Sequence, residues 1–232
     1  MATAALKQAA KKPRRRLGGR KDEPMEVRIS KTLAYALRHG AEDLGLNMRA
    51  SGYVELQELL SKPLCKEITE EQVEEIVRTN TKKRFTITTD ESGAVKYIRA
   101  NQGHTLQLVS DDALLTPLED PSELPYCIHG TYTKFWESIL DNGLSRMTRN
   151  HIHMTPTEVT GGDVVSGFRT NCDLLLYIDV PLALTDGIRF YRSSNNVILS
   201  PGVGESGVLE RKYFIKAVKR DGTVVFTREA TE

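Results

Sequence analysis

The spacing of apolar residues changes once along this 232-residue chain, and that change limits the possible folds more than any other feature. Up to about residue 108, apolar positions recur at helical intervals and then close on two strand-like runs. From about residue 125 they fall into short runs such as YCIHG, LLLYIDV, NVILSP and KYFIKAV, bounded by Gly, Pro and Asn. Between the two lies VSDDALLTPLEDPSEL, residues 109–124, whose two prolines, five acidic side chains and weak periodicity read as a linker. Neither pattern runs through the whole chain, so the expectation is an α+β protein of two units, 25–108 and 125–220, with a C-terminal tail over 221–232.

In the first unit, Ile29, Leu33, Ala36 and Leu37 share one helical face, Ser30 or a neighbour can open the helix, and Gly40 can stop it just after Arg38-His39. A second short helix is expected over 55–61. Thr69 with Gln72 three residues on forms a capping box, which predicts a third helix to about residue 79. RFTITT and VKYIRA flank DESG and read as a β-hairpin. Three helices followed by a hairpin is the element order of a winged helix. In the second unit one helix is expected at about 133–142, with Phe190 and Tyr191 in the core and Arg192 on the surface.

Charge is unevenly placed. Residues 1–24 carry a formal +6 and the remainder −5, so the net +1 hides a basic tail on a mildly acidic body. The tail is too polar to bury anything and is expected to be disordered; KKPRRR reads as a nuclear-import signal, an RNA tether or a plain solvated segment. Any nucleic-acid surface on the body must then be a local patch. Three widely spaced cysteines, Cys65, Cys127 and Cys172, form no CxxC pair and fit reduced thiols in a cytosolic or nuclear protein. No apolar run approaches the roughly 20 residues that span a bilayer, and no signal-peptide core is visible.

Four phrases carry the chemistry: LRHG at 37–40, KKRF at 82–85, HGT at 129–131 and RNHIHMT at 149–155. They collect arginines and histidines without a carboxylate or cysteine, which suits anionic substrates whose nucleophile arrives already ionised. Each phrase also has an ordinary explanation. Arg38 and His39 complement a helix C-terminus, and Lys82 and Arg84 decorate one side of an extended edge. Gly130 gives backbone freedom between two hydrogen-bonding side chains, His129 and Thr131. His151 and His153 alternate with Ile152 and Met154 and therefore share a strand face, a pattern that also chelates metals; a third ligand at suitable spacing is missing, and no metal is expected. RANQGHT at 99–105 reads as a polar turn.

Taken in order, LRHG, KKRF, RANQGHT, HGT, RNHIHMT and RSSNNVILSPG closely resemble the RNA 2′-phosphotransferase family, over about residues 28–218. The resemblance implies a winged-helix lobe joined to an ADP-ribosyltransferase-like lobe, with the active site in the cleft between them. It implies NAD as co-substrate and a tRNA or other RNA bearing a splice-junction 2′-phosphate as partner, acted on by a monomer. The family's catalytic Arg-His-Arg-Arg set falls on Arg38, His39, Arg84 and Arg149, with Lys82 as an accessory phosphate contact. His129, Gly130, Thr131, His151 and His153 fall on NAD-contacting positions, with Arg169 and Arg192 as further candidates.

In the implied reaction the RNA 2′-phosphate attacks the nicotinamide-bearing ribose carbon, and a neighbouring ribose hydroxyl then attacks the phosphorus. RNA is released with a free 2′-hydroxyl, together with ADP-ribose 1″,2″-cyclic phosphate. Many ADP-ribosyltransferases place a glutamate on a later strand; the comparable position here is Val197. Two rival readings are ADP-ribosylation of terminal RNA phosphates and a non-catalytic RNA-binding module.

Overall fold

The computed structural model describes residues 18–156 and 171–229. The chain is a mixed α+β structure whose strands form several small antiparallel sheets. It begins with helix α1 (Met25–Arg38), strand β1 (Val54–Glu55), helices α2 (Leu56–Ser61) and α3 (Glu70–Thr79), and strands β2 (Phe85–Thr89) and β3 (Lys96–Ala100). β3 lies between β1 and β2, with Ile98 opposite Val54 on one side and Ile87 on the other.

α1 starts five residues before Ser30, the opening expected from sequence. Pro24 stands at the N-cap with φ −52°, where its missing N–H costs no helical bond, so Ser30 is an interior residue. The helix ends as expected: the amides of His39 and Gly40 both donate to the Tyr35 carbonyl, and a Cβ at Gly40 would come within 2.6 Å of the Tyr35 ring. The capping box of α3 is present, with Gln72 N donating to Thr69 Oγ1 at 3.3 Å and Thr69 N donating to Gln72 Oε1 at 3.0 Å.

The stretch read as a linker supplies helix α4 (Asp111–Leu114) and strand β4 (Thr116–Leu118). Then follow β5 (Tyr126–Thr131), α5 (Trp136–Asn142), β6 (Leu144–Ser145), β7 (Ile152–Met154), β8 (Leu174–Asp179), α6 (Val180–Thr185), β9 (Phe190–Arg192), β10 (Ile198–Ser200), β11 (Val208–Leu209), β12 (Phe214–Lys219) and β13 (Val224–Thr227). One sheet has the order β4-β9-β10-β7, another β13-β12-β8-β5, and β11 pairs with β6. β13 lies in the segment expected as a tail; it is short and half exposed, so its pattern gives little signal. The Ile128–Thr155 bridge joins the two four-stranded sheets.

Strand alternation explains how the halves are fused. On β9 and β10, Tyr191 and Leu199 face the core built by α1, α2, α3 and β3, whereas Phe190 and Ile198 face the core built by β5, β7, β8 and β12. One sheet is thus buried on both faces, in two different cores. Both aromatics are core residues, as the sequence predicted. Burying a Leu or Ile of this kind stabilises by roughly 1.5–3 kcal/mol relative to exposure, so a few such residues hold the halves in register.

Candidate active site

The polar turn at 101–106 is the hub of the site. The Thr105 amide donates to the Arg38 carbonyl at 3.0 Å, and Thr105 Oγ1 lies 3.0 Å from His39 Nδ1. Gln102 Oε1 accepts from Arg38 Nη2 at 3.4 Å. The Asn101 amide donates to the Arg84 carbonyl at 2.9 Å, and its side-chain amide donates to the Lys83 carbonyl at 2.7 Å. On the other flank the Asn150 amide donates to the His104 carbonyl at 3.0 Å, next to Arg149. Three residues of this turn, Asn101, His104 and Thr105, therefore bond the backbones of Arg84, Asn150 and Arg38. Gly103 adopts φ +89° and passes close to Arg38, where a Cβ would sit 3.4 Å from Nε.

The electrostatics show these cations converging. Burial, with repulsion from Arg149 and Arg84, pushes Arg38 down to about 10. His39 is lowered by burial and then by Arg38 and Arg149. Arg84 is lowered by burial, and Lys82 by burial and then by Arg84. Among the described residues no carboxylate lies within ion-pair distance of Arg38 or Arg84. Arg84 Nη1 meets only the neutral Asn80 Oδ1 at 3.5 Å, and Arg38 Nε is buried with no acceptor. Arg38 and Arg84 are held by neutral acceptors, Arg38 is repelled by its neighbouring guanidiniums, and a bound anion relieves that repulsion.

Lys82 and Arg84 do not share an extended strand, as the sequence suggested. Residues 80–83 form a turn, with the Lys83 amide bonded to the Asn80 carbonyl at 2.8 Å and Lys83 at φ +42°, because the chain must reverse between α3 and β2. The Lys82 carbonyl is held by the side chain of Asn195, at 2.9 Å.

The histidine alternation on β7 holds. Ile152 and Met154 pack into the second core, while His151 and His153 face the other way; His153 lies opposite Leu199. Burial, followed by repulsion from Arg149, His151 and Arg38, keeps His153 far below the usual imidazole range. Its Nδ1 bonds the His151 carbonyl at 3.0 Å, so the neutral ring carries its proton there and turns a bare, buried Nε2 toward the site. His129 Nδ1 in turn bonds the His153 carbonyl at 2.9 Å, which ties β5 to β7 and fixes that ring in the same sense. Gly130 and Thr131 follow on β5, opposite Leu175 and Leu174. Arg192 bonds Asn196 Oδ1 at 2.6 Å in an exposed contact, and Val197 is buried in the first core. Arg169 lies outside the described residues.

Two participants escaped the sequence. Asp111, at the start of α4, places Oδ1 3.0 Å from His151 Nε2 without hydrogen-bond alignment, so the cluster does have one neighbouring carboxylate. It arrives from a segment forty residues upstream, and no local pattern marks it. His104 is buried among Arg38, His39, His151 and Arg99; burial first and these neighbours second push it down to about 3. RANQGHT stood out as a polar phrase and as part of the family resemblance, but neither singled out His104 within it. Among the described residues no group of three His, Cys, Asp or Glu is arranged to hold a metal, and no helix is long and apolar enough to cross a membrane.

Arginines gathered beside the neutral imidazole of His153 define a protein that works on a phosphate-bearing substrate. Residues 24–202 match the model of the RNA 2′-phosphotransferase, Tpt1/KptA family, and the chain belongs to that family. It is therefore a transferase. It is 49% identical over 211 residues to tRNA 2′-phosphotransferase 1 of Mus musculus, an alignment covering 89% of this chain and 84% of the mouse protein. Identity to the Homo sapiens protein of the same name is 45% over 200 residues, or 86% and 78% of the two chains. With tRNA 2′-phosphotransferase of Saccharomyces cerevisiae it is 36% over 187 residues, or 77% and 80%.

Proposed function

We propose that this chain removes the splice-junction 2′-phosphate from tRNA with NAD as co-substrate, in a cleft between a winged-helix portion and an ADP-ribosyltransferase-like portion. The observation that carries this reading is Arg38, buried with an unpartnered Nε and close to both Arg84 and Arg149, with no carboxylate against Arg38 or Arg84, beside the neutral ring of His153. The residues present suit NAD: the buried Nε2 of His153 and the glycine at 130 offer an acceptor and a close backbone approach.

NAD supplies an electrophilic ribose carbon with a cationic leaving group. In the first step an oxygen of the RNA 2′-phosphate forms the bond to that carbon, and the carbon–nitrogen electron pair leaves with nicotinamide. The phosphate is already an anion near neutral pH and nicotinamide needs no proton, so Arg38, His39 and Arg84 have only to hold and align it, with Arg149 reaching toward the dinucleotide. A buried Val197 in place of a glutamate accords with such an acceptor.

In the second step the neighbouring ribose hydroxyl attacks phosphorus and the bond to the RNA 2′-oxygen breaks. Charge builds on the phosphoryl oxygens, where Arg38, Arg84, Arg149 and Lys82 can stabilise it. The hydroxyl loses one proton and the RNA oxygen gains one, so a single imidazole, His39, can carry it across. Its lowered affinity for a proton rises when the anionic phosphodiester lies beside it, because an opposite charge favours the charged form.

The test is incubation with NAD and an oligoribonucleotide bearing one internal 2′-phosphate. Loss of that phosphate with appearance of ADP-ribose 1″,2″-cyclic phosphate supports the reading. Product RNA that keeps its ADP-ribose favours modification of terminal phosphates instead, and RNA binding with NAD untouched favours a binding module.

A further inference from the structure

A groove of about 410 Å³ opens between α1 and the end of α3, lined entirely by residues from 26–84. Arg38 and Arg84 both line it. Ser30, Lys31 and Ala34 on one face of α1 form one wall, and Thr79, Asn80 and Thr81 form the other. None of the NAD-side positions on β5 and β7 lines it.

We propose that this groove seats the RNA nucleotide adjoining the one whose 2′-phosphate is held by Arg38 and Arg84. The inference rests on the proposed reading of those two arginines. A phosphate held by both borders the groove, so the strand carrying it has this channel beside it. The volume falls in the range of sites that enclose a small organic group and matches about one nucleoside.

The charge pattern narrows the occupant. Lys31 Nζ is bound by both oxygens of Glu23, at 2.7 and 2.6 Å, and the Glu26 carboxylate lines the same wall. Beyond the arginines the groove therefore has no positive excess and gives a second phosphate little attraction. Hydroxyls of Ser30, Thr79 and Thr81 suit the edges of a base and its ribose, and Val27, Ala34 and Ile76 offer apolar surface to its flat face. Single-stranded RNA is recognised through such contacts, not through phosphates alone.

Two variants block the groove from opposite walls without touching the arginines: Ser30→Trp and Thr79→Trp. Binding of a fluorescent hexaribonucleotide with one internal 2′-phosphate is measured by anisotropy, beside a ribonucleoside 2′-phosphate with no flanking nucleotide as competitor. Each variant is expected to weaken the hexamer roughly fivefold or more, the worth of one lost base contact, while inhibition by the minimal ligand stays within about twofold. Thermal unfolding of both variants confirms that the fold is kept, and either one suffices. Unchanged hexamer affinity, or equal loss for both ligands, overturns the proposal. The measurement needs no turnover: retained discrimination without NAD-dependent phosphate loss would sink the catalytic reading and leave the groove assigned.

Discussion

The side-chain amide of Asn195 donates to the Lys82 carbonyl at 2.9 Å, joining residues 113 positions apart. Asn195 sits in the turn between β9 and β10 and is nearly fully buried, so its amide has no water to turn to. This bond ties the KKRF turn, with Lys82 and Arg84, to the sheet that carries His153. Asn195→Ala leaves the Lys82 carbonyl without this donor and is expected to cost about 1–3 kcal/mol in urea unfolding. Turnover should fall with it, while Asn195→Ala with unchanged stability would show that the turn is held by other contacts.

Arg84→Ala and Arg149→Ala are each expected to slow turnover by at least about 10²-fold, the usual effect of removing a preorganised donor to developing charge. Single-turnover kinetics with saturating NAD is the measurement, and near-wild-type rates would remove either residue from the mechanism. Lys82→Ala and His39→Ala should instead accumulate ADP-ribosylated RNA, because Arg38 and Arg84 still align the phosphate in the first step while charge stabilisation by Lys82 and proton transfer by His39 are lost in the second. Normal first-step rates with no such intermediate would count against that assignment.

Gly207→Ala should disturb Arg149 from a distance. Gly207 adopts φ +59°, and a Cβ there would collide with Arg146 Nε. Arg146 donates from Nη1 to the Arg149 carbonyl at 3.0 Å and from Nη2 to the Glu205 carbonyl at 2.9 Å, clamping two loops together. Displacing it should lower stability by about 1 kcal/mol or more and reduce turnover. Adding Gly207→Ala to Arg149→Ala should then reduce turnover no further; an additive loss would show that the clamp acts elsewhere.

Acid should destabilise the fold through His104. Its folded pKa of about 3 lies below the unfolded value near 6.5, so between those limits the unfolded chain binds a proton that the folded chain refuses. Stability is full above about pH 6.5 and declines as pH falls, by up to about 1.4 kcal/mol per pH unit for this one group. His153 shifts in the same direction and adds to the slope. Urea midpoints between pH 6.5 and 5, above the carboxylate range, should fall less steeply in His104→Asn than in the wild type. Identical slopes would mean that His104 takes up its proton in the folded state.

Much of the local structure was legible because local structure depends on local spacing. The Thr69–Gln72 box, the stop after Arg38-His39 and the shared face of His151 and His153 all follow from intervals of two to four residues. The start of α1 was misplaced because a proline N-cap leaves no side-chain oxygen to recognise. The 109–124 segment looked like a linker because β4 is three residues long and contains Pro117, yet it pairs with β9 and brings Asp111 to His151. Too few residues are involved for alternation to register.

The sequence by itself determined which groups are available: a surplus of guanidinium and imidazole in a few short phrases, and the face on which each strand presents them. Only the tertiary structure decided that Arg84 and Arg149 both come near Arg38, that residues 101–106 bond the backbones of Arg38, Arg84 and Asn150, and that one sheet is buried on both faces. Helical and strand periods are set by neighbours in the chain. Convergence is set by register and packing between segments tens of residues apart, through many small contacts of which none leaves a mark in the local pattern.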